Sequence, residues 1–278
     1  MLRVTRRRLL WLDYPASTRG QPRWGHGRPK HPQLAALIDS HREATEASLR
    51  TIARFAEPMG RIAGYNGYYS ESTQPAWLNN FLPAIDSAAL YAFVASRPVR
   101  RYVEIGSGMS TRFVARARRD HGRTFTITSI DPKPRLEVET LADDILREPL
   151  ELTDLSLFDS LDANDVVFLD GTHYVFPDGD TVTFFLDVLP RLPAGVLVGM
   201  HDVMFPDDYG RNEIDEHWAV QYLLGAALLA GATRLRPVLP AWAISHTPET
   251  NEILRPLWSQ PALRDTERFG SAFWVEIA

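Results

Sequence analysis

The sequence predicts an α/β protein: a Rossmann-like, mostly parallel seven-stranded sheet with helices on both faces, preceded by a helical N-terminal extension. Three observations predict it. Strand-like apolar runs alternate with helix-like stretches from about residue 83 to 278, the order that a parallel sheet with crossover helices requires. Two runs, Asp165–Leu169 and Val196–Met200, are almost wholly apolar, as central parallel strands are when both faces are covered. Tyr102–Ile105 leads straight into Gly106-Ser107-Gly108, a strand that turns on glycines into a helix.

The elements follow in order. Residues 1–31 are rich in Arg, Gly and Pro and read as a basic, extended arm. Residues 32–82 read as a helical and loop extension, a lid or an oligomer contact. Within it, Leu34, Leu37, Ile38, Leu49, Ile52 and Phe55 share one face of a helix over 32–56, and Pro58 ends it. A loop over 58–76 carries Gly60, Gly64 and Gly67 with Tyr65, Tyr68 and Tyr69, and Trp77 follows. These aromatics suit an acceptor pocket or a subunit contact equally.

Residues 83–278 form the main domain. It opens with a helix at 83–96, stopped by Pro98. Strands are expected at 99–105, 124–130, 149–152, 165–169, 196–200, 234–239 and 271–277. Helices are expected at 110–120, 134–147, 179–190 and 216–230, with a helical turn at 155–161.

Composition narrows the function. The chain has 278 residues, no cysteine and 45% apolar residues, which excludes disulfides and thiolate metal sites and supports a sizeable core. No run is long enough to span a bilayer. The basic start lacks the apolar core of a secretion signal, because Asp13 interrupts Leu9-Leu10-Trp11-Leu12. The expected location is cytoplasmic. Residues 1–30 hold eight Arg or Lys against one acid, so the rest of a chain of net charge −5 is strongly acidic. That balance disfavours a nucleic-acid groove and lets the arm pack on its own acidic body. The expected partners are a small-molecule substrate and a second copy of the chain.

The chemistry concentrates at the strand ends, where open parallel sheets bind ligands. After Gly106-Ser107-Gly108, the free N–H groups of the new helix favour an electron-rich group. The next strand ends in Asp131, whose carboxylate can accept paired hydrogen bonds from two ribose hydroxyls. Strand, glycine turn, helix, strand and acid make a nucleotide-type cofactor site. Ser110 or Thr111 stands where a dinucleotide fingerprint has its third glycine, which argues against a pyrophosphate and so against NAD.

Glu104-Ile105-Gly106-Ser107-Gly108 together with Asp131 resembles the first motif and ribose-binding acid of the class I S-adenosylmethionine-dependent methyltransferases. The resemblance covers residues 83–278 in element order. It implies that fold, S-adenosyl-L-methionine as cofactor, and a cofactor site of Glu104, Gly106, Ser107, Gly108 and Asp131. Asp154, after the expected third strand, takes the adenine-side position. Asp86 stands where it can meet the cofactor's amino group or serve as a helix N-terminal charge.

Two more strand ends carry an acid with an imidazole: Asp170-Gly171-Thr172-His173 and His201-Asp202. If their strands are neighbours, the ends lie about 5 Å apart, and Asp170, His201 and Asp202 converge on one cation. The pattern resembles the metal-dependent O-methyltransferases of the catechol type. That resemblance makes Asp170 a metal ligand, places His201 and Asp202 at the second ligand pair, and puts His173 in the place of the catalytic base. Imidazole with carboxylate suits Mn²⁺, Fe²⁺ or Zn²⁺ better than Mg²⁺. Each residue also has a structural reading: Asp170 as a cap, His173 as an exposed loop residue, His201 as a satisfied buried histidine. The expected activity is methyl transfer to a small-molecule hydroxyl. The rivals are a metal-free methyltransferase with His173 or His201 as base, an oxidative metal enzyme, and a non-catalytic binding module.

Overall fold

The structure, a computed structural model, describes residues 20–65 and 72–278. Seven strands form one sheet: β1 (Arg101–Ile105), β2 (Thr126–Ile130), β3 (Asp144–Leu146), β4 (Val166–Leu169), β5 (Leu197–Met200), β6 (Leu235–Pro240) and β7 (Phe273–Ile277). Their spatial order is β3-β2-β1-β4-β5-β7-β6. The first five are parallel, and β7 inserts antiparallel between β5 and β6. The chain reverses its direction of winding between β1 and β4, which opens a crevice at their carboxyl ends.

Register explains why the functional residues meet. Ile105 pairs with Ile130 and Leu169, and Leu169 pairs with Met200. The next residues, Asp131, Gly106, Asp170 and His201, therefore stand side by side along one edge, at the interstrand spacing of about 4.8 Å.

Alternation along the strands builds two core layers. Tyr102, Val166, Phe168 and Leu197 join one apolar cluster, and Val103, Ile105, Val167, Leu169, Val198 and Met200 join the other. The first layer contains the helix Ala84–Ser96, buried from Ala84 through Ala95. A helix apolar all round needs cover on every side. The sheet supplies one side, and the helix Arg42–Arg54 supplies another through Leu49 and Ile52. Ser48 Oγ also donates to the Val238 carbonyl on β6 at 2.9 Å. The residues from Leu49 to Ile62 thus share one core with the sheet.

Several expected elements shift. The helix over 32–56 is two helices, Pro32–Ser40 and Arg42–Arg54. They break at His41, whose Nδ1 turns back to the Leu37 carbonyl at 3.0 Å. The expected helix at 134–147 is a 3₁₀ turn, Leu136–Thr140, followed by β3. Pro132 and Pro134 precede it and bias the residues before them, Asp131 and Lys133, away from helical backbone. The third strand lies at Asp144–Leu146, and the expected strand at 149–152 holds a 3₁₀ turn, Leu150–Leu152. A three-residue, half-exposed edge strand carries no alternation to detect. The helix after β4 passes from α (Asp180–Thr183) to π (Phe184–Val188) to 3₁₀ (Leu189–Arg191). Val220–Leu229 is helical, after a short helix at Arg211–Asp215.

Trp77 is a core residue, 2% exposed and packed on Phe113 at 5.2 Å, while Tyr65 is exposed. Tyr68 and Tyr69 lie outside the described residues, as does the arm before Gly20. Among the described residues, no helix is long and apolar enough to cross a membrane.

Candidate functional site

The β1 turn is fixed from beneath by Glu104. This carboxylate is fully buried and accepts hydrogen bonds from four hydroxyls: Tyr102 (3.0 Å), Ser110 (2.8 Å), Ser129 (2.6 Å) and Thr111. It therefore ties β1, β2 and the start of the helix Met109–Asp120 together. Burial pushes its pKa up to about 7, against the four O–H donors that favour the anion.

Above Glu104, Gly106 has φ +83°, and a Cβ there would lie 2.0 Å from the Asp170 carbonyl oxygen. Only glycine lets the β1 turn approach β4 this closely. Gly106→Ala should therefore cost several kcal/mol, on the order of a severe backbone clash, and urea denaturation will show it as a lowered midpoint.

Asp131 faces the turn from β2. Its Oδ2 accepts from the Ser107 N–H (3.1 Å) and hydroxyl (2.6 Å), and Oδ1 accepts from the Lys133 N–H (2.7 Å). The acid and the glycine turn are in direct contact.

A cavity of about 280 Å³ opens over these strand ends. Ser107, Gly108 and Ser110 form one wall, and Asp170, His173, His201 and Asp202 form another. Arg135 closes the rim, stacked over Phe81 at 4.1 Å. Ligand atoms of Asp170, His173 and Asp202 all lie within 4.8 Å of one another. His173 Nε2 is 3.4 Å from Asp202 and 3.8 Å from Asp170. Its ring lies over Trp218, centroids 4.4 Å apart. His173 and Asp202 both hold positive φ, +62° and +56°, a conformation that L-residues keep only when their surroundings enforce it.

His201 stands behind this group, 3% exposed. Nδ1 faces Asp170 at 3.2 Å and Asp202 at 3.3 Å, and Nε2 faces Ser271 Oγ at 3.3 Å and Asp86 at 3.6 Å. Burial pulls its pKa down, but the charges of Asp202 and Asp170 outweigh this and hold it well above the usual value. Asp202 in turn is held well below the usual carboxylate range: burial opposes ionisation, and His201 and His173 overcome it.

Residues 103–203, from β1 to just past β5, match the family model described as a methyltransferase domain. That stretch, 101 of the 278 residues, is similar to methyltransferase domains. No curated protein matches the chain. Solved structures similar to it are distant. Podospora anserina methyltransferase PaMTH1 bound to S-adenosylhomocysteine (SAH) is 14% identical, with 92% of this chain and 100% of that one covered and a TM-score of 0.42. Cofactor-bound Rv0187 from MTB is 15% identical, covering 90% and 98%, with a TM-score of 0.36. A geranyl diphosphate methyltransferase in complex with GPP and sinefungin is 11% identical, covering 83% and 99%, with a TM-score of 0.32.

Within and around this matched stretch, most of the expected site residues converge. Gly106, Ser107, Gly108 and Asp131 form the glycine turn with the acid against it, and Asp170, His173, His201 and Asp202 form the facing cluster. Two expectations need correction. Glu104 does not reach the cavity, because all its hydrogen-bonding capacity is spent on the scaffold hydroxyls. Asp154 is exposed and accepts from the Ser156 N–H at 3.0 Å, a local turn. The position after the third strand falls on Arg147 and Glu148, because β3 ends at Leu146.

The sequence expectation also sets the cation group as Asp170, His201 and Asp202, whereas the structure brings His173 to the same two carboxylates. Asp86 is buried on the His201 side and accepts from the Ser271 and Ala272 N–H groups at 2.7 and 3.0 Å. Sequence reasoning missed three supports. Ser271 reaches Asp202 at 3.0 Å. Asp180 accepts from the Thr172 N–H and hydroxyl, both at 2.7 Å, and so holds the loop that carries His173. Trp218 lies against His173. Ser271 meets Asp202 across 69 residues and Trp218 reaches His173 from a separate segment, so neither has a local signal, whereas Asp180 lies only eight residues beyond Thr172.

Proposed function

We propose that this domain methylates a hydroxyl of a small-molecule acceptor, with His173 taking the hydroxyl proton and Asp170, Asp202 and His201 holding a divalent cation. One observation carries the reading: the cofactor-side turn and the Asp170–His173–Asp202 cluster line the same cavity. Methyl transfer from a sulfonium is an in-line displacement, so the two partners must sit on facing walls of one enclosure.

The donor set fits a cation. Two carboxylates are flanked by two imidazoles, and His201 has a carboxylate, Asp86, on its far nitrogen, the outer-shell pattern that orients metal-bound histidine. Mixed oxygen and nitrogen donors favour Mn²⁺, Fe²⁺ or Zn²⁺ over Mg²⁺. Such an ion lowers the pKa of a hydroxyl bound to it.

The chain's own residues do the rest. Asp131 presents a carboxylate to the ribose hydroxyls, and the Gly106–Gly108 turn keeps side chains out of the cofactor's path. His173 brings an imidazole, the side chain most often used as a general base, to the same cavity. The Asp202 and Asp170 carboxylates lie 3.4 and 3.8 Å from its Nε2, and Trp218 lies against its ring.

A second reading has one specific observation in its favour: His173 is itself within ligand distance of the two carboxylates, which would make it a cation ligand and not the base. Titration with SAH, with and without Mn²⁺, tests the proposal. Asp131→Ala should weaken SAH by about 10- to 100-fold, the value of hydrogen bonds to a charged acceptor. Undiminished affinity would remove the cofactor assignment. Failure of Mn²⁺ to bind the wild-type protein would remove the cation.

A further inference from the structure

The basic arm ahead of the first helix does not belong to the cavity, yet its described part is built into the support of the site. Gly20–His31 lies on the loop that follows β5. Arg23 donates to Asp208 Oδ2 twice, through its backbone N–H and through Nε, each at 2.9 Å. His26 Nε2 meets the Asp208 carbonyl at 2.9 Å, and the Asp208 N–H donates to the Trp24 carbonyl at 3.1 Å. The His31 N–H donates to the Pro206 carbonyl at 3.0 Å. Arg23 also lies over Trp24 at 4.0 Å and near Tyr222 at 5.2 Å. Asp208 is only 2% exposed and takes a further hydrogen bond from the Tyr222 hydroxyl at 2.6 Å. A buried carboxylate with an arginine on one oxygen and a phenol on the other has one available position.

The next residue carries this order inward. Tyr209 is fully buried, its hydroxyl donates to the Asp202 carbonyl at 2.8 Å, and it accepts from the Gln221 N–H at 3.3 Å. Asp202 is the residue with φ +56° whose carboxylate meets His173. The Tyr209 ring also stands edge-on to Trp218, centroids 6.1 Å apart, and Trp218 carries the His173 ring. The His173 carbonyl accepts from the Ala219 and Val220 N–H groups, so the same segment is tied to His173 through backbone as well.

We propose that Tyr209 is a positioning residue for Asp202 and His173, and that Arg23 of the arm holds it in place through Asp208. Its mechanistic meaning rests on the reading of Asp202 and His173 as working groups, but the positioning is measurable without turnover. Loss of the Tyr209 hydroxyl frees the Asp202 carbonyl to leave its positive-φ conformation. Loss of Arg23 frees Asp208 and with it the Tyr209 backbone.

The test uses the full chain and three variants: Arg23→Ala, Tyr209→Phe and Trp242→Phe. Trp242 Nε1 donates to Asp207 at 3.1 Å, so its loss loosens the same loop off the proposed route. In metal-free protein, the amide signals of Asp202 and Val203 and the His173 ring signals are followed by NMR. They should shift in Arg23→Ala and Tyr209→Phe and stay in place in Trp242→Phe. With Mn²⁺ as the probe, the first two should bind about tenfold more weakly, the effect expected of a lost outer-shell partner, while SAH affinity holds. Shifts confined to the neighbourhood of position 23 in Arg23→Ala, or equal shifts in Trp242→Phe, would overturn the proposal. If the wild type binds no Mn²⁺, the cation reading fails, and the NMR comparison still decides the positioning.

Discussion

Glu104→Ala is expected to destabilise the protein by about 3–5 kcal/mol, the cost of stripping partners from several buried polar groups at once. The four hydroxyls that converge on this carboxylate come from β1, β2 and the first turn of the following helix. Removing it leaves each without its acceptor and opens a void under the Gly106–Gly108 turn. SAH affinity should fall with stability, because the turn loses its floor. Glu104→Gln is the milder change, since Ser, Thr and Tyr hydroxyls can accept from an amide as readily as they donate.

The pair also gives a pH test. Burial raises the folded pKa of Glu104 from 4.5 to about 7, so the folded state holds this proton more tightly than the unfolded chain. Its contribution is therefore greatest below about pH 4.5, declines as pH rises toward 7, and is level above. The stability of the wild type relative to Glu104→Gln should drop by roughly 3 kcal/mol between pH 4.5 and 8. Urea midpoints of both proteins across that range measure it, and parallel curves would mean that the carboxyl is ionised throughout.

His173→Gln is expected to lower kcat by about 10²- to 10⁴-fold, the usual worth of a positioned general base. Gln keeps the approximate size and a hydrogen-bonding end but takes no proton. The two candidate roles separate in the cation titration. A base leaves Mn²⁺ affinity nearly intact while the rate of SAH formation collapses. A ligand loses both together. Retention of both would assign the chemistry to another group, with His201 next in line through its contacts with Asp170 and Asp202.

How much of this was legible in the sequence depends on distance along the chain. Gly106, Asp131, Asp170 and His201 each follow an apolar strand, and parallel register alone carries them to one edge. Periodicity and glycine chemistry suffice for that. β3 escaped because three half-exposed residues have no periodic pattern, and misplacing it drew Asp154 toward the cofactor. Glu104 was found but assigned outward, because its four partners include Ser129, whose approach depends on the β1–β2 pairing. Asp86 and Ser271 meet across 185 residues, beside His201. Nothing local in either segment announces the other. The competition between His173 and His201 for the carboxylates was undecidable for the same reason: it depends on the turn after β4, which Asp180 and Trp218 shape from elsewhere.

The placement of β7 has a further outcome. Among the described residues, β6 meets the rest of the sheet only through β7, and β5 has β7 as its neighbour on that side. During synthesis β5 must wait with an open edge while more than seventy later residues emerge from the ribosome. Until β7 arrives, that bare strand is a template for pairing with another nascent chain.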